Sequence, residues 1–334
     1  MSATTAPAEA ARRQPVEDVA HWVRRNGWTL SLLGFFILLL AFTKVIQPSY
    51  GPAGVRGLAI SVLPLALAAV AQAVVVISGG IDLSVGSMMA LTNVVSAVLM
   101  NEQSEQFGVV VVVGVLVLGL ALGGINGGLV VLTRVPDIVV TLAMSFVWAG
   151  CALLVLPSPG GGSANWLLNL LIGPLGNEWI PKALIALVVA VTIVWIPIRR
   201  SRLGLSMYAI GSNRLAAFRS GVPVGRTKVA SYMLMGLFAA LAGLSLTAST
   251  GIGTPVPGPY TLFSVAAVVL GGVSLAGGRG GVSGPIIGVL ILSMIRSDMT
   301  FLSLDTNLAL VAEGIILIAV VMVGSLIQLR RSRA

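Results

Sequence analysis

Apolar runs of membrane-crossing length, separated by short polar or glycine-rich intervals, organise this chain from residue 28 to residue 326. An α-helix rises ~1.5 Å per residue, so roughly 20 residues cross a hydrocarbon layer ~30 Å thick. On that yardstick spans fall near 28–46, 58–77, 84–100, 108–132, 138–156, 182–198, 229–249, 262–277, 282–296 and 307–326. The runs are unbroken and do not alternate with a period of two, which selects helices over barrel strands. The pattern predicts an all-α integral membrane protein of about ten transmembrane helices, with both termini on one side.

Composition supports the bilayer as solvent. Of 334 residues 57% are hydrophobic and 9% charged, with a mean hydropathy of +1.01, whereas soluble domains carry about a quarter charged residues. The net charge of +9 is unevenly placed. Basic residues gather at Arg12, Arg13, Arg24 and Arg25, again from Arg199 to Lys228, and at Arg330, Arg331 and Arg333. Each cluster abuts an apolar run, which is the positive-inside pattern and not a nucleic-acid face. Residues 1–27, loosely ordered or interfacial, and 327–334 are thus expected in the cytoplasm, with 28–326 as the transmembrane domain. Residues 199–227 form the main cytoplasmic loop, while 101–106 and 157–181 lie outside. The outer loop 157–181 carries Trp166 and Trp179 and reads as a short interfacial helix. The first run has no small-residue cleavage site and reads as an uncleaved span.

Little of the usual catalytic or metal-binding inventory is present. The single histidine, His21, lies in the amino-terminal tail, and the single cysteine, Cys151, lies in an apolar run, which removes disulfides and most metal and general-base chemistry. No phosphate-binding G-x-x-x-x-G-K-[ST] occurs, so no ATPase is encoded here. Two segments echo one another, GGIDLSVG at 79–86 and GGVSLAGG at 271–278, each between an inward and an outward span. They predict two related hairpins, with Gly79, Gly80, Gly271 and Gly272 making the reversals and Ser274 opposite Asp82. Asp82 and Ser84 suit the cap of the following helix, and the same broken helix would suit a solute pathway.

Val135–Pro136–Asp137 reads as a helix start with no chemistry of its own. Among acidic residues only Asp82 and Glu313 fall at membrane depth. Glu313 is a candidate for pairing with Arg296, for contact with a solute or ion, or for exposure near the interface. Gln72, Asn93, Asn126, Thr141 and Ser145 are polar positions in otherwise apolar spans. They fit either interhelical hydrogen bonds or a path for a neutral polyol.

The cytoplasmic loop reads GLSMYAIGSNRLAAFRSGVPVGRTKVASYMLMGLFAALAGL over 204–244, with a short helical stretch from Asn213 to Arg219 between Gly211 and Gly221. YAIGSN at 208–213, Ala216–Ala217, Ser220–Gly221–Val222, GGIDLSVGS at 79–87 and VVLGGVSLAGGRGGVSG at 268–284 together resemble the permease subunits of ribose-type ATP-binding-cassette sugar importers. The resemblance runs from about residue 58 to 323. It implies a second permease copy or a homologous permease, a cytoplasmic ATPase holding ATP and Mg, and a periplasmic or lipid-anchored sugar-binding protein, all at the bacterial inner membrane. It further implies that Tyr208, Gly211, Asn213, Ala216, Ala217 and Gly221 belong to the loop that meets the ATPase, and that both glycine-rich hairpins lie near the translocation path. Arg214 and Leu215 stand where relatives often carry an acidic residue, and the surroundings of Arg296 and Glu313 also depart from the pattern. The alternative reading is a secondary carrier or channel for a small polar solute, which would work without an ATPase.

Overall fold

The computed structural model describes residues 14–304 and scattered positions from 308 to 322, with side-chain surroundings from Gly27 onward. In chain order the elements are α1 (Gln14–Ile46), α2 (Pro52–Ile77), α3 (Val85–Met100), α4 (Glu105–Thr133), α5 (Asp137–Val155) and α6 (Asn165–Leu171). A two-stranded antiparallel hairpin follows, β1 (Pro174–Leu175) and β2 (Asn177–Pro181). Then come α7 (Lys182–Ala190), a π-helical segment (Val191–Trp195), α8 (Ile196–Arg200), α9 (Arg202–Ser212), α10 (Arg214–Arg219), α11 (Val224–Thr250), α12 (Tyr260–Leu270) and α13 (Ser283–Phe301). The π segment ends two residues before Pro197, whose missing amide interrupts the regular ladder.

Among the described residues seven stretches are long and apolar enough to cross a bilayer, and Val85–Met100 and Tyr260–Leu270 are shorter apolar helices. These nine match the first nine expected spans; the expected span at 307–326 is described only at scattered positions, and Glu313 lies outside the described residues. Boundaries differ where local chemistry overrides hydropathy. Helix α1 is described from Gln14, so residues 14–27 of the tail expected to be loosely ordered or interfacial are helical. Helix α2 begins at Pro52, whose absent amide costs nothing in a first turn. The span expected at 262–277 ends at Leu270, because the chain turns at Gly272 with φ +76°. The span expected at 282–296 continues to Phe301 and carries Asp298 into the helix. The outer loop does contain a short helix, α6, but the β1–β2 hairpin follows it.

Helix α2 is the hub. Its inner half is lined with buried small residues, Ala66, Ala68, Ala69, Ala71 and Ala73, which let neighbouring backbones approach. By contrast α1 exposes Leu38 and Val45, as suits a side facing lipid. The tightest contact joins α4 to α11. Gly119, Gly123 and Gly127 recur every four residues along one face of α4. A Cβ on Gly123 would run into the Tyr232 carbonyl oxygen, and one on Gly236 into the Gly119 carbonyl oxygen. Hence Gly123→Val should destabilise the fold by about 1–3 kcal/mol through overpacking. Gly128→Val on the same helix, where a Cβ meets nothing within 4 Å, should leave stability nearly unchanged. Unfolding of the two purified variants in detergent would separate them, and equal stabilities would refute the packing assignment.

Candidate functional site

At the inner end of the bundle three backbone segments meet. Helix α2 closes with Gly79 at φ +75°, and Gly79 N donates to the Val76 carbonyl at 2.9 Å. The second glycine-rich loop arrives with Gly277 and Gly278 at φ +88° and +69°, and Gly278 N donates to the Ile77 carbonyl at 2.9 Å. The end of α9 wedges between them. A Cβ on Gly277 would lie 2.9 Å from the Cα atoms of both Gly211 and Gly79. A Cβ on Gly211 would run into the Ile77 oxygen and the Gly278 nitrogen. Tyr208 reinforces the contact, its hydroxyl donating to the Gly280 carbonyl at 2.9 Å. Burial pushes the Tyr208 phenol above its ordinary pKa, against the opposing pull of Arg199, so the group remains a donor.

Helices α9 and α10 are rigid pieces. The Ser201 side chain accepts from Gly204 N at the start of α9. Asn213 ends α9 and caps α10, its Oδ1 accepting from Ala216 N at 2.9 Å. Ala217 faces inward, whereas Ala216, Leu215 and Phe218 are exposed. The knob closes at Gly221, φ +82°, whose N–H returns to the Phe218 carbonyl.

Inside the first hairpin lies a buried polar network. Asp82 Oδ1 accepts from both the amide and the hydroxyl of Ser84, each at 2.6 Å. Asn126 Nδ2, from α4, donates to Ser84 Oγ at 2.7 Å and to Asp82 Oδ2 at 3.3 Å. Trp148 Nε1, from α5, donates to Asn126 Oδ1 at 3.2 Å. Thr141 Oγ1 accepts from Leu83 N at 3.0 Å. The capping expectation is corrected here: Ser84 stands at the N-cap of α3 but makes no side-chain cap bond, because its hydroxyl serves Asp82.

Asp137, read from sequence as a bare helix start, is the main residue missed. Its Oδ2 lies 2.7 Å from Lys228 Nζ on α11, and the Tyr232 hydroxyl donates to the same oxygen at 2.9 Å. Gly80 packs against both, since a Cβ there would come within 3.1 Å of the Tyr232 hydroxyl oxygen. Lys228 had been counted in a topological cluster, and its partner lies 91 residues earlier, so nothing local signalled the pair. Asp298 was missed too. It is buried and accepts from Thr43 Oγ1 at 2.6 Å.

Other expected positions divide. Gly271 packs on Gly284 and Pro285, and Gly272 on Trp28, while Ser274 uses its backbone, accepting from Gly277 N and donating to the Arg279 carbonyl. The two hairpins therefore share a location at the inner end but not their polar chemistry. Asn93 belongs to the outer end, where its Nδ2 donates to Thr247 Oγ1 at 2.7 Å and its Oδ1 accepts from Thr254 N at 2.6 Å. With the Gly160–Gly253 bridge and the bond from Gly162 N to the Ala97 carbonyl, Asn93 stitches two outer loops to α3. Ser145 bonds back to Leu142 in its own helix and joins nothing else among the described residues. Gln72 is fully buried with its amide unpartnered. Arg296 places its guanidinium carbon 4.8 Å from the centre of the Phe263 ring.

The family described as branched-chain amino acid transport system / permease component matches residues 54–321. The ribose import permease protein RbsC of Bacillus subtilis is 34% identical over 303 residues, 87% of this chain and 90% of that protein. Its counterpart in Escherichia coli K12 is 34% identical over 267 residues, 78% and 82% of the two chains. The D-allose transport system permease protein AlsC of Escherichia coli K12 is 30% identical over 332 residues, 97% and 98% of the two chains. No solved structure matches the chain.

The Asp137–Lys228 pair yields a direct expectation. Its side chains are 17% and 7% exposed, so Lys228→Met should cost about 3–5 kcal/mol by stranding a buried carboxylate. Adding Asp137→Asn to Lys228→Met should recover part of that loss in a double-mutant cycle. No recovery would show that the two residues are not coupled.

Proposed function

The chain belongs to the branched-chain amino acid transport system / permease component family and, within it, to the ribose-type permeases of sugar importers, and from that premise we propose how it works. It is a multi-pass protein of the bacterial inner membrane and the translocating, non-catalytic subunit for a monosaccharide. Hydrolysis of ATP, with its Mg, falls to a separate cytoplasmic ATPase that docks on α9 and α10. Solute arrives from a sugar-binding protein outside, and a second permease copy or a homologue completes the channel. Residues 1–27 and 327–334 are the cytoplasmic tails of the 28–326 transmembrane domain.

One observation carries this reading. Gly211, in the docking segment, touches both glycine-rich hairpins through backbone alone. A pull on α9–α10 therefore reaches the inner ends of α2 and the second hairpin with no flexible side chain between. The contact acts as an inner gate, shut while these backbones touch and parted when nucleotide binding moves α10. A ligand drives such a change only by its different affinity for the two states, which is the role left to ATP on the partner. The Asp82–Ser84–Asn126 network holds the first hairpin on one side of the path. Asn93 and Thr254 tie down the outer loops on the other side. The exposed Leu215 and Phe218 give α10 an apolar face for the ATPase.

The test is a mild-detergent purification from the native membrane, with identification of companions and a parallel sugar-uptake assay. A P-loop ATPase should co-purify, should be lost with Phe218→Asp, and should persist with Gly211→Val while uptake falls to background. A companion-free chain that moves solute in vesicles without ATP would overturn the importer reading in favour of a secondary carrier or channel.

A further inference from the structure

From Val62 to Ile77 every side chain of α2 is apolar except Gln72. That residue is fully buried, and neither its Oε1 nor its Nε2 has a hydrogen-bond partner among the described residues. An amide taken from water without a partner destabilises a fold, and an apolar residue of the same shape would avoid the cost. The other buried polar side chains near the hairpins behave differently. Asp82, Ser84, Asn126 and Thr141 are all bonded. Gln72 therefore does not serve as an interhelical fastener in this state.

Its position suggests what it serves instead. Ile77, five residues further along, accepts the bond from Gly278 that shuts the inner junction. At the helical rise Gln72 thus lies about 7.5 Å up α2 from that bond. It is the hydrogen-bonding side chain on α2 nearest that junction.

We propose that Gln72 is a hydroxyl-binding position of the solute path, dry while the junction is shut and engaged by the sugar when it opens. The inference rests on the permease reading and adds to it a residue and a chemistry. A carboxamide donates through nitrogen and accepts through oxygen, so it matches two neighbouring hydroxyls of a monosaccharide. It does so without a fixed charge that would have to be reburied in every cycle.

Because Cys151 is the sole cysteine, a Cys151→Ala background makes Gln72→Cys a single reporter. In the complete importer, reconstituted with its ATPase and binding protein, a water-soluble maleimide should label the introduced thiol in one nucleotide state and not in another. Equal labelling in every state, or labelling in none, overturns the proposal. The volume-conserving Gln72→Met should unfold at a temperature no lower than wild type, while uptake falls about tenfold or more with the lost solute bond. Retained uptake overturns it, as does a lowered unfolding temperature, which would make Gln72 a structural residue. Wild-type importer that moves no sugar would sink the permease reading and this inference together. Sugar transport indifferent to Gln72 would sink the inference alone.

Discussion

Three backbone segments share one small volume at the inner end of the helices because glycines stand where they touch. Gly79 follows the end of α2, Gly211 lies in the last turn of α9, and Gly277 and Gly278 turn the second hairpin. Three of these four glycines hold φ values that other residues adopt only with strain. The fourth, Gly211, has no room for a Cβ because the Ile77 oxygen and the Gly278 nitrogen occupy the space. Much of the rest depends on this close approach. It fixes how α2 meets the end of α9, and it joins that segment to the first and second glycine-rich hairpins through backbone.

The bilayer sets the second constraint. Without water inside it, polar groups must find partners within the chain. Asp82 is held by two bonds from Ser84 and one from Asn126, and Asp137 by Lys228 and Tyr232. These networks sit at the ends of helices, where the chain reverses and backbone donors are free. Between them the helices pack through glycine and alanine, as on the shared face of α4 and α11. The result is a close-packed bundle with much of its polar chemistry gathered at the hairpins and loops that end the helices, and with Gln72 a buried polar exception on α2. That arrangement suits a path closed at rest and opened by movement at its ends.

Hydropathy made nine of the spans readable, because a run of apolar residues needs no partner to be recognised. It failed at boundaries decided by single residues, such as Gly272, which ends α12 early, and Asp298, which hydropathy placed outside a helix that contains it. The glycine pairs and the docking loop were legible as motifs, but their meeting was not, since Gly79, Gly211 and Gly277 are separated by more than a hundred and by more than sixty residues. Asp137 and Lys228 were hidden for the same reason, each having an adequate local explanation as helix start or topological anchor. Periodicity and composition report on what a residue does within its own element. They are silent on pairings set by the fold.

The most direct measurement is the separation of spin labels placed at Ser212 and Arg279 through cysteine substitutions in a Cys151→Ala chain. Both positions are exposed and flank the glycine junction. In the complete importer the account predicts a short distance in one nucleotide state and a longer one in another, as α9 leaves the second hairpin. A distance unchanged through every state, in a complex that still imports sugar, would contradict a junction that opens.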